Sequence, residues 1–345
     1  MTAPSAHPEL PPTAVEPLAG LAGLARLAGR QNGVFTLAQA RSCGVGDAVI
    51  ARRVRTQEWV PQRRGVYVEQ AELARCAGDP TGLQVLAVQA FLLVHHGDLV
   101  VSHSSAAALH RLPLLAPYDT RPVLTLHRPE ATPPARPGDR LAASVPTNQR
   151  ARAFGLTVTD RARTVADLAR TSPWEAAVVM ADAALRAGVA RSAVQDLLNG
   201  PCQGWPGAAA ARRVIAFADH RAESALESRA RCWFAALQLP ALELQVEIFD
   251  QRRRFVARVD FLLNGRTVCE TDGRMKYAAK EQPGDQPLWA EQQREDRLRE
   301  LGFEVVRGYW SDGADLTRLA TELRRAFARA ALDPSPLRGS QRRTR

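Results

Sequence analysis

Leu18, Leu21, Leu24 and Leu27 recur every three residues, which is one apolar face of a helix, and Gly33 ends it. Thr36 is placed to cap a second helix that stops at Gly44. Asp47 is placed to cap a third, which carries Ile50, Arg52, Arg53 and Arg55. Trp59 to Val68 then reads as a short hairpin with Arg63 and Arg64 at its tip. Three helices followed by a hairpin is the order of a winged helix-turn-helix, expected over 17–72.

A second pattern covers 80–200 and predicts an α/β region. Leu83 to Val94, the longest apolar run, reads as a buried helix. Val100 begins a strand that turns into an Ala-rich helix through His110, and Val123 to Leu126 is a strand. Pro129 to Asp139 is Pro-rich and reads as an exposed loop. Leu156 to Thr159 leads into a helix from Arg161, and Pro173 is expected in the first turn of the next. Residues 200–212, Gly200 to Gly207 and then an Ala-rich stretch, read as a linker or loop, with a domain boundary near 200–220.

The third pattern, 218–332, is a helix, three strands, a helix, a strand and a helix. Leu226, Ala230, Trp233 and Leu237 form the stripe of the first helix, which also carries Glu223 and Glu227. Leu242, Leu244, Val246 and Ile248 alternate with polar residues, predicting a strand with one wet face. Phe255 to Leu263 and Thr267 to Glu270 are the next strands, joined at Asn264-Gly265. A charged helix follows from Glu291 to Leu301, then a strand from Phe303 to Tyr309 and a closing helix. By composition, residues 1–16 and the basic tail 333–345 are expected to be disordered. The fold class is α/β, and α+β taken overall.

Charge points to a partner. The net charge is +10 over 345 residues, mostly from arginine, which favours a polyanion and nucleic acid before membrane. No apolar run is long enough to span a bilayer, and the N-terminus lacks the pattern of a secretory signal, so no membrane role is expected. The five cysteines are scattered without a C-x-x-C pair, which argues against a disulfide framework or zinc site and suits a reducing cytoplasm.

The richest chemistry lies in Arg258 to Lys276, where Asp260, Glu270 and Asp272 occupy otherwise apolar strands. Buried carboxylates are costly unless they meet a cation or a metal. Register bears on this. A two-residue turn at Asn264-Gly265 would pair Asp260 with Cys269 and turn Glu270 to the other face. A site shared by Asp260 and Glu270 therefore predicts a three-residue connection, Asn264 to Arg266, or a bulge. Elsewhere, Arg52, Arg53 and Arg55 would enter a major groove, with Arg63 and Arg64 on phosphates, although arginines on a short helix also make a solvated face. His103 and His110 lack a third ligand at matching spacing and read as structural. Ser102, Ser104 and Ser105 lack the strand-turn-helix context of a hydrolase nucleophile.

Two family resemblances follow from these residues. Gly33-Val-Phe-Thr-Leu-Ala-Gln-Ala40, Ile50-Ala-Arg-Arg-Val54, Trp59-Val60 and Arg64-Gly-Val-Tyr67 resemble the winged-helix domain of AbiEi-type antitoxins of type IV toxin–antitoxin systems. Ser102-His-Ser104 and Arg161-Ala-Arg-Thr164 resemble the segment that follows it. Leu226-Glu-Ser-Arg229, Arg258-Val-Asp-Phe261, Glu270-Thr-Asp-Gly273 and Arg294 to Gly302 resemble the PD-(D/E)XK nucleases, in the branch related to very-short-patch-repair endonucleases. That second resemblance covers about the last third of the chain and implies a restriction-endonuclease-like domain with a mixed sheet flanked by helices. It also implies a magnesium (or manganese) ion on Asp260 and Glu270, completed by Glu227. Asp272 stands where the family has a lysine, and Lys276 is the substitute in reach. The leading expectation is a protein that binds double-stranded DNA and carries a metal-dependent endonuclease-like domain. The alternative is a non-catalytic regulator or antitoxin with a degenerate nuclease fold and a cognate toxin partner. A third reading is an interaction protein whose charge only keeps it in solution.

Overall fold

The computed structural model describes residues 20–115, 121–129, 131, 140–240, 242–272, 286–333 and 335–343. The expectations for residues 1–16 and for most of the Pro129 to Asp139 loop lie outside them, as does Lys276. Among the described residues there are thirteen α-helices and three sheets, one antiparallel and two mixed, so the fold is α+β overall. The chain divides into two compact units. The first reaches Asp98 and takes in residues 121–122; the second takes most of the remainder.

The first unit holds α1 (Gly20–Gly29), β1 (Val34–Thr36), α2 (Leu37–Ser42), α3 (Asp47–Arg55), β2 (Trp59–Arg63), β3 (Val66–Glu69), α4 (Gln70–Arg75) and α5 (Pro80–Leu92). Thr36 caps α2 as expected, in a reciprocal capping box with Gln39. The cap of α3 is corrected. Gly46 occupies it without a side-chain bond, while Asp47 pairs with Arg41 at 2.8 Å. Strand β1 was not legible in the sequence, since its three residues are too few to show alternation. It pairs antiparallel with β3, giving a sheet in the order β1-β3-β2. Leu24, Ala28, Phe35, Ala40, Val45, Ile50 and Trp59 form the core beneath it. Helix α5 was grouped by sequence with the region beyond. It packs instead here, with Leu86 and Ala90 against Val34, Val66 and Val68.

The second unit begins with β4 (Leu99–Val101), α6 (His103–Leu109), β5 (Leu124–His127), β6 (Arg140–Ala143), β7 (Arg150–Ala153) and β8 (Leu156–Thr159). These strands form a mixed sheet in the order β6-β5-β4-β8-β7. Helices α7 (Arg161–Thr171), α8 (Trp174–Arg186), α9 (Arg191–Asn199) and α10 (Ala208–Phe217) follow around an Ala- and Val-rich core. Pro173 is the N-cap of α8 rather than a first-turn residue. Of the two readings of Gly200 to Gly207, linker or loop, the structure has the loop. It buries Cys202 and lays Trp205 over the guanidinium planes of Arg163 and Arg170, at 4.5 and 5.4 Å from the ring centre.

The unit continues with α11 (Ala225–Ala236), β9 (Leu242–Asp250), β10 (Phe255–Leu263), β11 (Thr267–Asp272), α12 (Gln286–Glu300), β12 (Glu304–Tyr309) and α13 (Thr317–Leu332). The order of elements is the one expected. Helices α11 and α13 cover one face of the sheet, and α12 covers the other. Residues 333–345 were expected to be disordered. Within them, Gly339–Arg343 forms a further strand, β13, antiparallel to β9, so the sheet reads β12-β11-β10-β9-β13. An exposed edge is a row of unmet backbone donors and acceptors, and this basic strand satisfies them despite a composition that signals no strand.

Candidate functional site

The turn between β10 and β11 decides the geometry of the carboxylates. Leu263 pairs with Thr267, Leu262 with Val268 and Phe261 with Cys269. The connection is therefore the three residues Asn264, Gly265 and Arg266. Asn264 and Gly265 both have positive φ, 51° and 68°, and the Arg266 N–H closes the turn on Leu263 O at 3.2 Å. One step further along this register, Asp260 stands opposite Glu270.

Strand β9 adds a distortion. Its alternation predicted one buried face, yet Leu244 packs under α11 while Val246 and Ile248 pack under α12. Gln245 between them holds φ at 53°, which reverses the face presented by the strand. Across the ladder the same switch separates Val259 from Phe261, with Asp260 at the switch. A buried non-glycine residue in this conformation costs on the order of 1 kcal/mol or more, and such strain clusters at functional sites.

Asp260 accepts from both the backbone N–H and the hydroxyl of Thr271, each at 2.8 Å. Glu227 lies on the first turn of α11, where Ser224 caps it, and is buried. Its Oε2 accepts from Gln245 Nε2 and from the Glu223 N–H, each at 2.8 Å. Glu270 Oε2 accepts from Arg294 of α12 at 2.7 Å, while its Oε1 is buried without a hydrogen-bond partner among the described residues. Burial raises the carboxyls of both Glu227 and Glu270, and the charge of Asp260 adds to each shift. Arg294 opposes the shift at Glu270. Asp260 is thus the group that acts on both glutamates.

Asp272, two residues further along the same strand, meets a different cation. It sits 3.5 Å from Arg307, which also bonds Glu291 at 2.7 Å and Glu295 at 2.8 Å. These residues line an open cleft of about 370 Å³ with Tyr309. The cation beside Asp272, where a nuclease lysine was sought, is therefore Arg307 from the neighbouring strand. A charge on a helix or strand does not name its partner, so the pairing of Arg294 and Arg307 with these carboxylates could not be read from the sequence. Among the described residues, no group of three or more His, Cys, Asp or Glu side chains is disposed to hold a metal ion. Arg294 and Thr271 meet oxygens that an ion would otherwise use, and Glu270 Oε1 is buried and open among the described residues.

The arginines proposed for DNA divide into two sets. Arg52 and Arg53 both reach Glu58, at 3.0 and 3.1 Å, and Arg53 lies over Trp59. Arg55 and Arg64 are exposed, and Arg63 stacks over Phe91 at 4.7 Å. None of these three pairs with a carboxylate among the described residues.

A further polar centre was only half legible. His103 and Arg163, flagged for their likeness to the antitoxin family, are buried with Asp167 and Arg170. Asp167 accepts from Arg163 at 2.9 Å and from Arg170 at 3.3 Å, and Arg170 reaches His103 Nε2 at 3.3 Å. Burial pulls the His103 imidazole down to about 4, which leaves it neutral. His110, with its ring bonded to the Thr159 carbonyl at 2.8 Å, is a separate structural contact.

Residues 24–70, the winged helix, match the family model described as "Transcriptional regulator, AbiEi antitoxin". Over 213 residues, 61% of this chain, it is 31% identical to the uncharacterized proteins Rv2248 and MT2308 of Mycobacterium tuberculosis, covering 76% of each. The chain belongs to their family. The regulatory name belongs to the family model matched by residues 24–70, which is consistent with the winged helix seen there. No helix among the described residues is long and apolar enough to cross a membrane.

Proposed function

We propose that the chain is a cytoplasmic DNA-binding regulator of the AbiEi antitoxin kind, acting on double-stranded DNA through its winged helix. The observation that carries this reading is the match over 24–70, on a domain whose Arg55, Arg63 and Arg64 have no carboxylate partner among the described residues. Helix α3 supplies the groove-facing arginines and the β2–β3 hairpin supplies the wing. A cognate toxin is the protein partner this role implies. The test is binding of the full chain to duplex DNA across a salt series. A regulator of this kind loses affinity steeply as salt rises. Binding that is absent, or flat with salt, overturns the reading.

A second reading is favoured by one observation, the buried open oxygen of Glu270 beside Asp260. In it the C-terminal domain is a PD-(D/E)XK-like endonuclease. Magnesium needs only one or two protein carboxylates and keeps its waters, so Asp260 and Glu270 would suffice, with Glu227 behind them. The ion would polarise a phosphodiester and activate water. Arg294 would have to yield Glu270 for this to happen. A plasmid-nicking assay with Mg²⁺ or Mn²⁺ decides between the two readings. Cleavage that disappears in Asp260→Ala, with DNA binding retained, establishes the nuclease. Intact plasmid, linear DNA and RNA after incubation leave the regulator.

A further inference from the structure

The second unit presents a basic hairpin tip that neither functional reading uses. Strands β9 and β10 are joined by Gln251-Arg252-Arg253-Arg254, and Phe255 opens β10. The buried carboxylate of Asp250 builds the turn. Its Oδ1 accepts from the backbone N–H groups of Arg252 and Arg254, each at 2.9 Å, and its Oδ2 accepts from the Arg254 side chain at 2.8 Å. Arg254 is therefore committed to the turn. Arg252 and Arg253 are exposed, and neither enters an ion pair among the described residues.

Phe255 is placed against the pattern of its strand. Alternation would turn it to the face of Ala257 and Val259, which pack under α12. The register with β9 slips by one residue between Phe255 and Ala257, and Val256 takes the inward place. A bulge of this kind re-aims a side chain. Phe255 is left 59% exposed, the most exposed aromatic among the described residues, with its ring in a T-shaped contact with Phe249 at 5.9 Å.

Two solvated cations beside a positioned ring match one ligand chemistry. Guanidinium groups take phosphate oxygens, and an aromatic ring gains most from the face of a base. Base faces are covered in a duplex and open in a single strand. The net charge of +10 favours the same class of partner. We propose that the β9–β10 tip binds single-stranded nucleic acid, with Arg252 and Arg253 on its phosphates and Phe255 stacked on a base. The site goes beyond the winged-helix reading and is independent of any metal on Asp260 and Glu270. It gives the second unit a nucleic-acid contact of its own, which reads backbone charge and base stacking and not sequence.

The test uses the full chain with two fluorescent probes, an oligothymidylate and a blunt duplex of the same length. Phe255→Ala is expected to weaken oligothymidylate binding about tenfold, within the range for loss of one stacked base. Phe255→Trp should retain the affinity. Phe255→Leu, apolar without an aromatic face, should behave as the alanine variant does. Arg252→Ala and Arg253→Ala should each lower the slope of log affinity against log salt by about 0.7, the share of one single-strand phosphate. Arg324→Ala removes an exposed charge from α13 and should change neither quantity. All these side chains are exposed, so the variants should melt with wild type. If wild type binds duplex and not oligothymidylate, this proposal falls and the winged-helix reading stands. If it binds neither probe, both fall. If it binds oligothymidylate and the Phe255, Arg252 and Arg253 variants bind as wild type does, the single strand sits elsewhere and the proposal falls. If Phe255→Ala weakens duplex and single strand equally, or Phe255→Leu binds as wild type does, the assignment to a stacked, unpaired base is overturned.

Discussion

One carboxylate oxygen of Glu270 accepts from Arg294 at 2.7 Å, and the other is buried with no hydrogen-bond partner among the described residues. Burial raises its carboxyl, and Asp260 raises it further. For an acid raised in the folded state, stability is fully present below its unfolded value and declines as pH rises through the folded one. Glu270→Gln keeps an amide oxygen to accept from the Arg294 cation and removes the ionisation. The variant is expected to melt higher than wild type at pH 7, with the gap closing towards pH 4. Thermal melts at both pH values check this. A variant less stable at pH 7 by the same margin as at pH 4 would show that the Arg294 pair outweighs the burial.

Arg307 holds Glu291, Glu295 and Asp272 together. Its removal takes away the cation that these three partly buried carboxylates share. Arg307→Ala is expected to cost about 1–3 kcal/mol, read from urea unfolding, with the loss shrinking at high salt. A loss below about 0.5 kcal/mol would mean that solvent already screens the group.

His103 titrates against the opposite limb. It is depressed to about 4, chiefly by burial, against the usual 6.5. The unfolded chain therefore takes up its proton first as pH falls, and stability drops between pH 6.5 and 4. The shift is worth about 2 kcal/mol at pH 5. His103→Gln should be less pH-dependent than wild type over this range, as measured by urea unfolding at pH 7 and pH 5. Parallel curves for the two proteins would sink the prediction.

Gly207 holds the Trp205 loop against the buried arginines. Its φ is 83°, and a Cβ there would lie 2.2 Å from the Arg170 carbonyl oxygen. Gly207→Ala is expected to destabilise the chain by about 3 kcal/mol or more, because the backbone must move and the ring must leave Arg163. Asp167→Asn should cost a similar amount, by leaving Arg163 and Arg170 buried without their shared anion.

On the DNA side, Arg52 and Arg53 must leave Glu58 before they can serve a phosphate, whereas Arg55 and Arg64 need not. Arg55→Ala and Arg64→Ala should each reduce the salt slope by about 0.9. Glu58→Gln should raise affinity by freeing two cations. Filter binding or fluorescence anisotropy across a salt series distinguishes the two sets, and equal slopes in all variants would assign the contacts elsewhere.

Local pattern by itself determined the order of most elements. Caps such as Thr36, the apolar run of α5, the apolar spacing along α11, and turn residues at Asn264-Gly265 act over a few positions, so they are legible in a single sequence. The requirement that Asp260 and Glu270 share a face even set the length of their turn, and the register of Leu263 with Thr267 agrees. Only tertiary structure decided which charges meet. Arg307 goes to Glu291, Glu295 and Asp272, Arg294 to Glu270, and Arg170 to a histidine 67 residues away. Side chains of one type are interchangeable in a linear pattern, and partner choice depends on distances that packing alone creates. Gln245 reverses a face that period-two alternation cannot foresee, because its left-handed backbone is held by the surrounding sheet. The basic tail and the Gly200 to Gly207 loop carry no signal of their own. Each is ordered by what it covers, an open sheet edge in one case and two buried guanidinium planes in the other.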